Sequence, residues 1–413
     1  MEDRTDAPLD LLIQGGRVLD PGSGLDEILD VGVRFGRIAA MAEDLSGLVA
    51  APRLEYPPHT GTTVVDARGK IVVPGLVDLH AHVYTGVCPL TVPADEACSN
   101  SGVTTIVSAG DAGAHTLEGF RNMIVNGNRT RVLAFVHIST IGLTGWPEGE
   151  AIDLAYLDVD KVVRAVVENR DIAVGIKVRE QAPLIVGDNG LTPVRIAVEA
   201  GERVGVPVMV HIGGAPAGLS ELMELLRPGD IVTHCFTPAP NGLIEGGELI
   251  AAAATARERG VIFDVGHGFG SFDFGVVEEA VTQGFWPDTI STDLHSLSAS
   301  GPVGDLPRTM AKLLNLGMPL DEVVRAATLR PAELIGRDET LGRLRVGGVA
   351  DVAVLALEDH DGEFVDASGA RRPAPRILRA EATIRAGILW GGPLPHPGRA
   401  AGSRTWLDAS PAG

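Results

Sequence analysis

The sequence predicts a (β/α)8 barrel together with a small β domain, and three observations support this prediction. Eight short runs rich in Val and Ile alternate with helical patterns between Lys70 and about Gly336. Glycine-broken β-type runs precede this region, and similar runs follow it. The chain has 413 residues, of which 45% are hydrophobic. One large domain and one small domain therefore both have enough apolar side chains for a core.

The small β domain is expected to combine both ends of the chain. Its first part contains the runs DLLIQGGRVLD, ILDVGVRFGRIAAMA and TTVVDARG, and its second part contains RLRVGGVADVAVLAL and ILRAEATIRAGILW. We therefore predict a β-sandwich built from residues 1–68 and 339–391, flanking a barrel at 69–338. Residues 392–413 are rich in Pro, Gly and small side chains, which predicts a loosely ordered tail.

The barrel strands are predicted from apolar runs at regular intervals. In order, these runs are IVVPGLVDLHAHV, TTIVSA, RVLAFVHIS, AVGIKVRE, PVMVHIGG, IVTHCF, VIFDVGHG and TISTDL. Segments between them, such as DVDKVVRAVVENR and PVRIAVEAGERVG, repeat apolar residues with the spacing of amphipathic helices. This alternation predicts a closed parallel sheet with the helices outside it.

Composition and charge exclude several classes of partner. The chain has 34 basic and 54 acidic residues, a formal charge of −20, so its field repels nucleic acid and anionic membrane surfaces. No apolar stretch is long enough to span a membrane, and the acidic N-terminus does not resemble a signal peptide. Three cysteines without a CxxC pair predict neither a disulfide framework nor a Cys-rich zinc site. We expect a cytoplasmic protein.

Side chains that bind metals fall at the ends of five barrel strands, where barrel enzymes carry their catalytic groups. Each of them alone is compatible with a hydrogen-bonded core residue or a helix cap. Together and in this order they predict a metal centre at the barrel mouth. They are His80 and His82 on strand one, Lys177 on strand four, His211 on strand five, His234 on strand six and Asp293 on strand eight.

Lys177 carries further information because lysine is rare in this chain. Only four of the 34 basic residues are lysines. A neutral lysine amine can add CO2 to form a carbamate, whose two oxygens can bridge two cations, whereas a guanidinium cannot. The expected site is therefore binuclear, with a carboxylated Lys177. Imidazole and oxygen ligands without thiolate suit Zn2+, while Mn2+ and Fe2+ remain open.

The motif PGLVDLHAHV resembles the strand-one motif of the amidohydrolase superfamily, and the β domain built from both termini resembles its usual companion. The resemblance covers residues 10–390. It implies that the two strand-one histidines hold one metal and that those of strands five and six hold the other. It also implies a carboxylated lysine between the metals and an aspartate, Asp293, that takes a proton from the nucleophilic water.

Within the superfamily, the phrases HAHVYTG, KVR, THCF, DVGHG and STDLH resemble a dihydroorotase-like deacetylase branch. This implies hydrolysis of an acetylated α-hydroxy acid such as acetyl-(R)-mandelate. Cyclic-amide hydrolysis of the dihydroorotase or hydantoinase type and deacylation of N-acyl amino acids remain alternatives, because specificity depends on the loops. A non-catalytic scaffold of the same fold is an alternative from another class. The resemblance also implies a homo-oligomer.

Four further residues are candidates for contacts with a small anionic substrate. Arg179 follows Lys177 by two positions and could clamp a carboxylate. By the same alternation Tyr84 could donate to an oxyanion. His267 ends strand seven, and His295 lies two residues after the strand-eight aspartate.

The run Gly266-His267-Gly268-Phe269-Gly270 resembles a dinucleotide-binding loop only weakly. Ser271 stands where the third glycine of that motif belongs. No Walker motif or GxSxG elbow occurs. The run is therefore not assigned to a nucleotide.

Overall fold

The structure is a computed structural model that describes residues 7–51 and 61–391. The predicted tail at 392–413 lies outside the described residues. Within them, no helix has both the length and the apolar character that crossing a bilayer requires.

Seven parallel strands form the barrel sheet, and each pairs with the next one along the chain. They are Leu76–Ala81, Val103–Gly113, Arg131–His137, Ala173–Glu180, Val208–Ile212, Ile231–Thr233 and Ile262–Asp264. We call them barrel strands one to seven.

TISTDL, the eighth predicted run, closes the ring without forming a regular strand. It bridges in parallel to strand seven at Thr289 and to strand one at Leu294. Asp293 has a φ of 48°, which interrupts an extended backbone. The Asp78 carboxylate accepts a hydrogen bond from the Thr292 N–H at 3.0 Å. The Asp78 side chain thus replaces one of the backbone hydrogen bonds that a regular eighth strand would make with strand one. The predicted (β/α)8 barrel is confirmed, with its last strand reduced to bridges.

Helices follow most barrel strands, as the apolar spacing predicted. The α-helices are Ala94–Cys98, Leu117–Phe120, Val159–Glu168, Thr192–Val204, Leu219–Leu225, Ala251–Glu258, Phe274–Thr282, Ser296–Ala299, Leu306–Asn315, Leu320–Ala327 and Leu329–Leu334. A short π-helix covers Arg121–Val125, and 3-10 helices cover Ser46–Leu48, Gly142–Gly145 and Leu154–Tyr156. Aspartates at 158, 273 and 305 cap three of the helices by accepting a backbone N–H.

Strands from both chain ends form one branched sheet of eight strands. They are Leu11–Asp20, Leu25–Arg34, Arg37–Ala42, Thr63–Asp66, Ile71–Pro74, Val352–Asp359, Arg376–Arg385 and Ile388–Gly391. Two small hairpins lie outside both sheets, Ile244–Glu245 with Glu248–Leu249 and Glu363–Val365 with Arg371–Pro373.

The run IVVPGLVDLHAHV divides between the two sheets. Ile71–Pro74 pairs with the chain-end strands Leu11–Asp20 and Val352–Asp359, although the sequence pattern assigned it to the barrel. The division falls at Gly75, where a Cβ would lie 2.2 Å from the Thr104 hydroxyl. Only glycine allows the chain to pass so close to strand two as it crosses from one sheet to the other.

The barrel interior is packed below a polar ring. Phe135, Met209 and Ile231 belong to one buried apolar cluster. Each lies two residues before a polar residue at the end of its strand, and side chains two apart share a face. The apolar cluster therefore forms the floor on which the polar ring stands.

Candidate metal centre

His80, His82 and Asp293 meet where strand one and the eighth segment end. One ligand atom from each lies within 4.8 Å of the others, and all three residues are buried. Asp293 Oδ1 is 3.0 Å from His82 Nε2 and 3.3 Å from His80 Nε2. Two imidazoles and one carboxylate at these separations suit a divalent cation such as zinc.

The three histidines His80, His82 and His234 each use Nδ1 for a contact that points away from the centre. Those contacts are Thr233 Oγ1 at 2.8 Å, Asp111 Oδ1 at 2.6 Å and the Gly266 carbonyl at 2.6 Å, respectively. Histidines that bind metals are held this way, because the outer partner sets the tautomer and leaves Nε2 free. His234 Nε2 is buried without a hydrogen-bond partner in the described part of the chain. This donor set fits a metal.

Backbone strain is concentrated at the same place. His234 has a φ of 69° and Asp293 a φ of 48°. A residue other than glycine pays of order 1–3 kcal/mol for such a conformation, which persists only where its surroundings hold it. The Asp293 N–H donates to the His80 carbonyl at 2.7 Å, which ties the strained turn to strand one.

Lys177 reaches the centre from strand four. Its Nζ lies 3.2 Å from His80 Nε2, and the side chain is fully buried. Burial lowers the pKa of Lys177 to about 7, although Asp293 opposes the shift. At Gly110, where φ is 93°, a Cβ would lie 2.6 Å from Lys177 Cγ, so a larger residue would push the lysine away.

His211 and His234 form a second group beside the first. Their ring centroids are 4.2 Å apart, and the His234 ring lies 5.0 Å from that of His80. Burial and the neighbouring His234 lower the pKa of His211 well below its usual value. Burial lowers the pKa of His234 to about 4 against the pull of Asp293. Both rings are therefore neutral at pH 7, the form that binds metals.

His82 differs from these rings in its charge environment. Burial disfavours its charged form, but Asp111 and Asp293 outweigh burial and raise the pKa of His82 to about 9. Asp111 also accepts the Val83 and Tyr84 N–H groups at 2.6 and 3.0 Å. Two carboxylates thus favour positive charge at this position, which a bound cation can supply.

A cavity of about 170 Å³ opens onto the centre. Arg179 and His295, two of the four residues predicted to contact substrate, line this cavity. Arg179 Nη1 lies 3.1 Å from Glu150 Oε1, and the Glu150 side chain is fully buried. Burial disfavours the Glu150 carboxylate, but Arg179 and His137 outweigh it and lower its pKa to about 2. The guanidinium is therefore held by a buried partner at the cavity wall.

Tyr84 does not line the cavity. Its hydroxyl donates to the Thr116 carbonyl at 3.1 Å, and its ring packs edge-on against Phe120. The structure does not place Tyr84 with the other candidates because strand one ends at Ala81, and its contact with an oxyanion stays a prediction. Beyond that residue the backbone turns, and side chains two apart no longer share a face.

His267 also lies outside the cavity lining. Its Nε2 is 2.6 Å from Lys312 Nζ, and its ring stacks on Phe272 at 4.5 Å. Strand seven ends at Asp264. His267 therefore follows a turn, which directs the ring behind the site, and its contact with substrate stays a prediction.

Sequence reasoning missed the carboxylates behind the centre. Asp264 accepts hydrogen bonds from the hydroxyls of Thr233 at 2.8 Å, Thr289 at 2.6 Å and Ser291 at 2.7 Å. Asp264 thereby links Thr233, the hydrogen-bond partner of His80, to the eighth segment. Asp111 and Asp264 both lie at strand ends in the sequence. A strand-end aspartate is so often a cap or turn residue that this signal alone could not distinguish them.

Comparisons with known proteins agree with the geometry. Two family signatures, both described as the amidohydrolase family, match residues 63–140 and 272–382. A protein named deacetylase from Agrobacterium fabrum is 39% identical over 325 residues, 78% of this chain and 79% of the relative. A deacetylase from Enterococcus faecalis is 32% identical over 385 residues, 92% and 99% of the two chains.

Solved structures show the same fold over nearly the whole chain. A structure described as a dihydroorotase has a TM-score of 0.84 and 35% identity, covering 92% of this chain and 97% of its own. One described as an adenine deaminase has a TM-score of 0.84 and 31% identity, covering 93% and 100%.

Proposed function

The chain belongs to the amidohydrolase family and is a hydrolase, and we propose that it removes the acetyl group from an acetylated α-hydroxy acid such as acetyl-(R)-mandelate. The observation that carries this proposal is the set of inward-facing imidazole nitrogens around Asp293 at the floor of a cavity. The deacetylases that cover most of this chain support the choice of reaction.

The residues present fit two divalent cations, for which we propose Zn2+. His80 and His82 would hold one and His211 and His234 the other, with Asp293 beside them and Lys177 carboxylated between them. The lysine amine lies in hydrogen-bonding distance of a histidine nitrogen, and its lowered pKa keeps part of it neutral near pH 7. When bound, such cations lower the pKa of water and polarise a carbonyl.

Asp293 is proposed as the residue that moves the proton. Oδ1 faces His80 and His82, so it can accept the proton of the water that attacks the acetyl carbonyl. The same oxygen then returns that proton to the alcohol oxygen as the ester bond breaks. The products are acetate and the free hydroxy acid.

Arg179 and the apolar wall are proposed to bind the two ends of the substrate. Arg179 Nη1 donates to Glu150 Oε1 at 3.1 Å, and the other N–H groups of a guanidinium can donate to a substrate carboxylate. Leu143, Trp146 and Phe269 line the same cavity and suit an aromatic or aliphatic substituent. A small anionic substrate with an apolar group satisfies both.

Cyclic-amide hydrolysis is the second candidate reaction, because the dihydroorotase structure matches 92% of this chain. Deacylation of N-acyl amino acids needs the same site and differs only in releasing an amine nitrogen where the ester releases an alcohol oxygen. A non-catalytic scaffold is disfavoured, because such a protein has no use for buried, strained imidazole and carboxylate groups. We also propose a homo-oligomer in the cytoplasm, which light scattering and fractionation of the source cells would test.

A substrate panel on the metal-replete protein tests the proposal. The panel contains both enantiomers of acetyl-mandelate, N-acetyl amino acids, dihydroorotate and a hydantoin, each assayed again after chelation and after return of Zn2+. We expect acetyl-(R)-mandelate to be cleaved with the highest kcat/KM, and we expect chelation to abolish the reaction until metal returns. Cleavage that survives complete metal removal, or turnover confined to cyclic amides, contradicts it.

A further inference from the structure

Lys312 is a buried lysine that the proposed reaction does not use. It lies on the helix Leu306–Asn315, and its side chain is fully buried. Its Nζ contacts three acceptors: His267 Nε2 at 2.6 Å and the carbonyls of Pro302 and Val365, each at 2.8 Å. An ammonium has three N–H donors, so all of them are satisfied.

These contacts define the tautomer of His267. The His267 Nδ1 atom lies 2.9 Å from the Gly268 carbonyl, which can only accept, so Nδ1 carries the proton. Nε2 is then an acceptor for Lys312. The ring is also stacked on Phe272 with an interplanar angle of 10°. His267 is therefore held on one face and at both nitrogens.

His267 lies between two glycines that touch candidate ligands. The Gly266 carbonyl accepts from His234 Nδ1 at 2.6 Å. A Cβ on Gly268 would lie 2.4 Å from Asp293 Oδ2. The N–H groups of His267 and Gly268 donate to the eighth segment, at the Ser291 and Thr292 carbonyls. Any movement of the 266–268 turn is thus transmitted to two ligands at once.

We propose that Lys312 is a positioning residue for His234 and Asp293, acting through His267 to hold the 266–268 turn against both ligands. The proposal rests on the ligand assignment of the proposed function. A lysine suits this place because a compact ammonium can donate in three directions, whereas the planar fork of an arginine cannot. The chain otherwise uses arginine for most of its basic positions.

The first test measures Zn2+ binding by calorimetry on the metal-stripped full chain, with metal per chain checked by elemental analysis. We expect Lys312→Met to weaken the site that contains His234 by about 10-fold, the lower end of the cost of losing a direct partner of a ligand, because Lys312 acts through His267. Lys161→Met is the matched control, because Lys161 is exposed and its Nζ pairs with Asp158 at 2.9 Å, away from the candidate ligands. The control should bind as the unaltered chain does.

A double-mutant cycle separates positioning from general destabilisation. If Lys312 acts through His267, then Lys312→Met, His267→Phe and the double variant weaken Zn2+ binding to a similar extent. Additive losses in the double variant would show that Lys312 acts by another route, which overturns the proposal. Thermal unfolding of each variant confirms that it is folded before its affinity is compared.

Nitrogen NMR on chain labelled at its 11 histidines gives a readout that does not depend on metal or activity. His267 is assigned from the signal lost in His267→Phe. We expect the Nδ1–H tautomer in the unaltered chain, and we expect the His267 and His234 signals to shift in Lys312→Met. Unshifted His234 signals in that variant refute the proposal. The proposal is also refuted if the unaltered chain binds Zn2+ and Lys312→Met binds it with the same affinity. That result leaves the proposed reaction untouched. An unaltered chain that binds no Zn2+ refutes the ligand assignment itself.

Discussion

Gly268→Ala is the sharpest test of how the backbone positions Asp293. Gly268 has a φ of 54°, and an added Cβ would lie 2.4 Å from Asp293 Oδ2. Ordinary van der Waals contact begins near 3.4 Å, so the carboxylate has to move by about 1 Å. A misplacement of about 1 Å can reduce a rate by of order 100-fold. That corresponds to about 2.7 kcal/mol in the activation barrier.

The methyl group also imposes a conformational cost that has to be separated from the contact. A left-handed backbone costs an alanine roughly 1–2 kcal/mol. Gly284→Ala isolates this cost, because Gly284 has a φ of 77° and no atom within 4 Å of its added Cβ. Both variants should lose free energy of unfolding, and Gly268→Ala should lose at least as much as Gly284→Ala because it adds the contact with Asp293. Only Gly268→Ala should lose activity.

The assay combines initial rates of acetyl ester hydrolysis, metal content and chemical unfolding for the three chains. We expect kcat/KM to fall about 100-fold in Gly268→Ala and to stay within about twofold in Gly284→Ala. Gly268→Ala could instead keep full kcat/KM while its free energy of unfolding falls as in Gly284→Ala. Activity would then not depend on the present position of the Asp293 carboxylate, which refutes the prediction.

Three other substitutions test single groups in the site. Asp293→Asn should lower kcat by roughly 10²–10⁴-fold with most metal retained, since the amide cannot accept the proton; unchanged kcat removes this role. Asp111→Ala should weaken metal binding by about 10–100-fold, because His82 loses the partner of Nδ1, and calorimetry showing equal affinity would contradict that. Arg179→Met should reduce kcat/KM about 10–100-fold for a substrate with a carboxylate. An equal loss on the corresponding neutral ester would argue against a clamp.

The class of fold and the order of the candidate ligands could be predicted because both are encoded locally. Apolar runs with period two and segments with helical spacing define strands and helices one at a time. His80, His82 and Lys177 lie on regular strands, or one residue beyond a strand end, where alternation is a reliable guide to direction. The structure brings these side chains together.

The direction of side chains beyond the strand ends could not be predicted in the same way. Tyr84 and His267 both follow turns, and the structure directs them to Thr116 and Lys312 instead of the cavity. Glu150 lies far from Arg179 in sequence and meets it only after the loops fold. No local pattern reports such contacts.

The sequence by itself determined which side chains able to bind metals lie at which strand ends, because residue type and strand period are properties of short segments. Only the tertiary structure decided which atoms face one another. It placed Asp111, Thr233 and the Gly266 carbonyl behind three imidazoles and turned the backbone of Asp293 into a left-handed conformation. These contacts join residues from separate strands and loops, so they exist only once the barrel has closed.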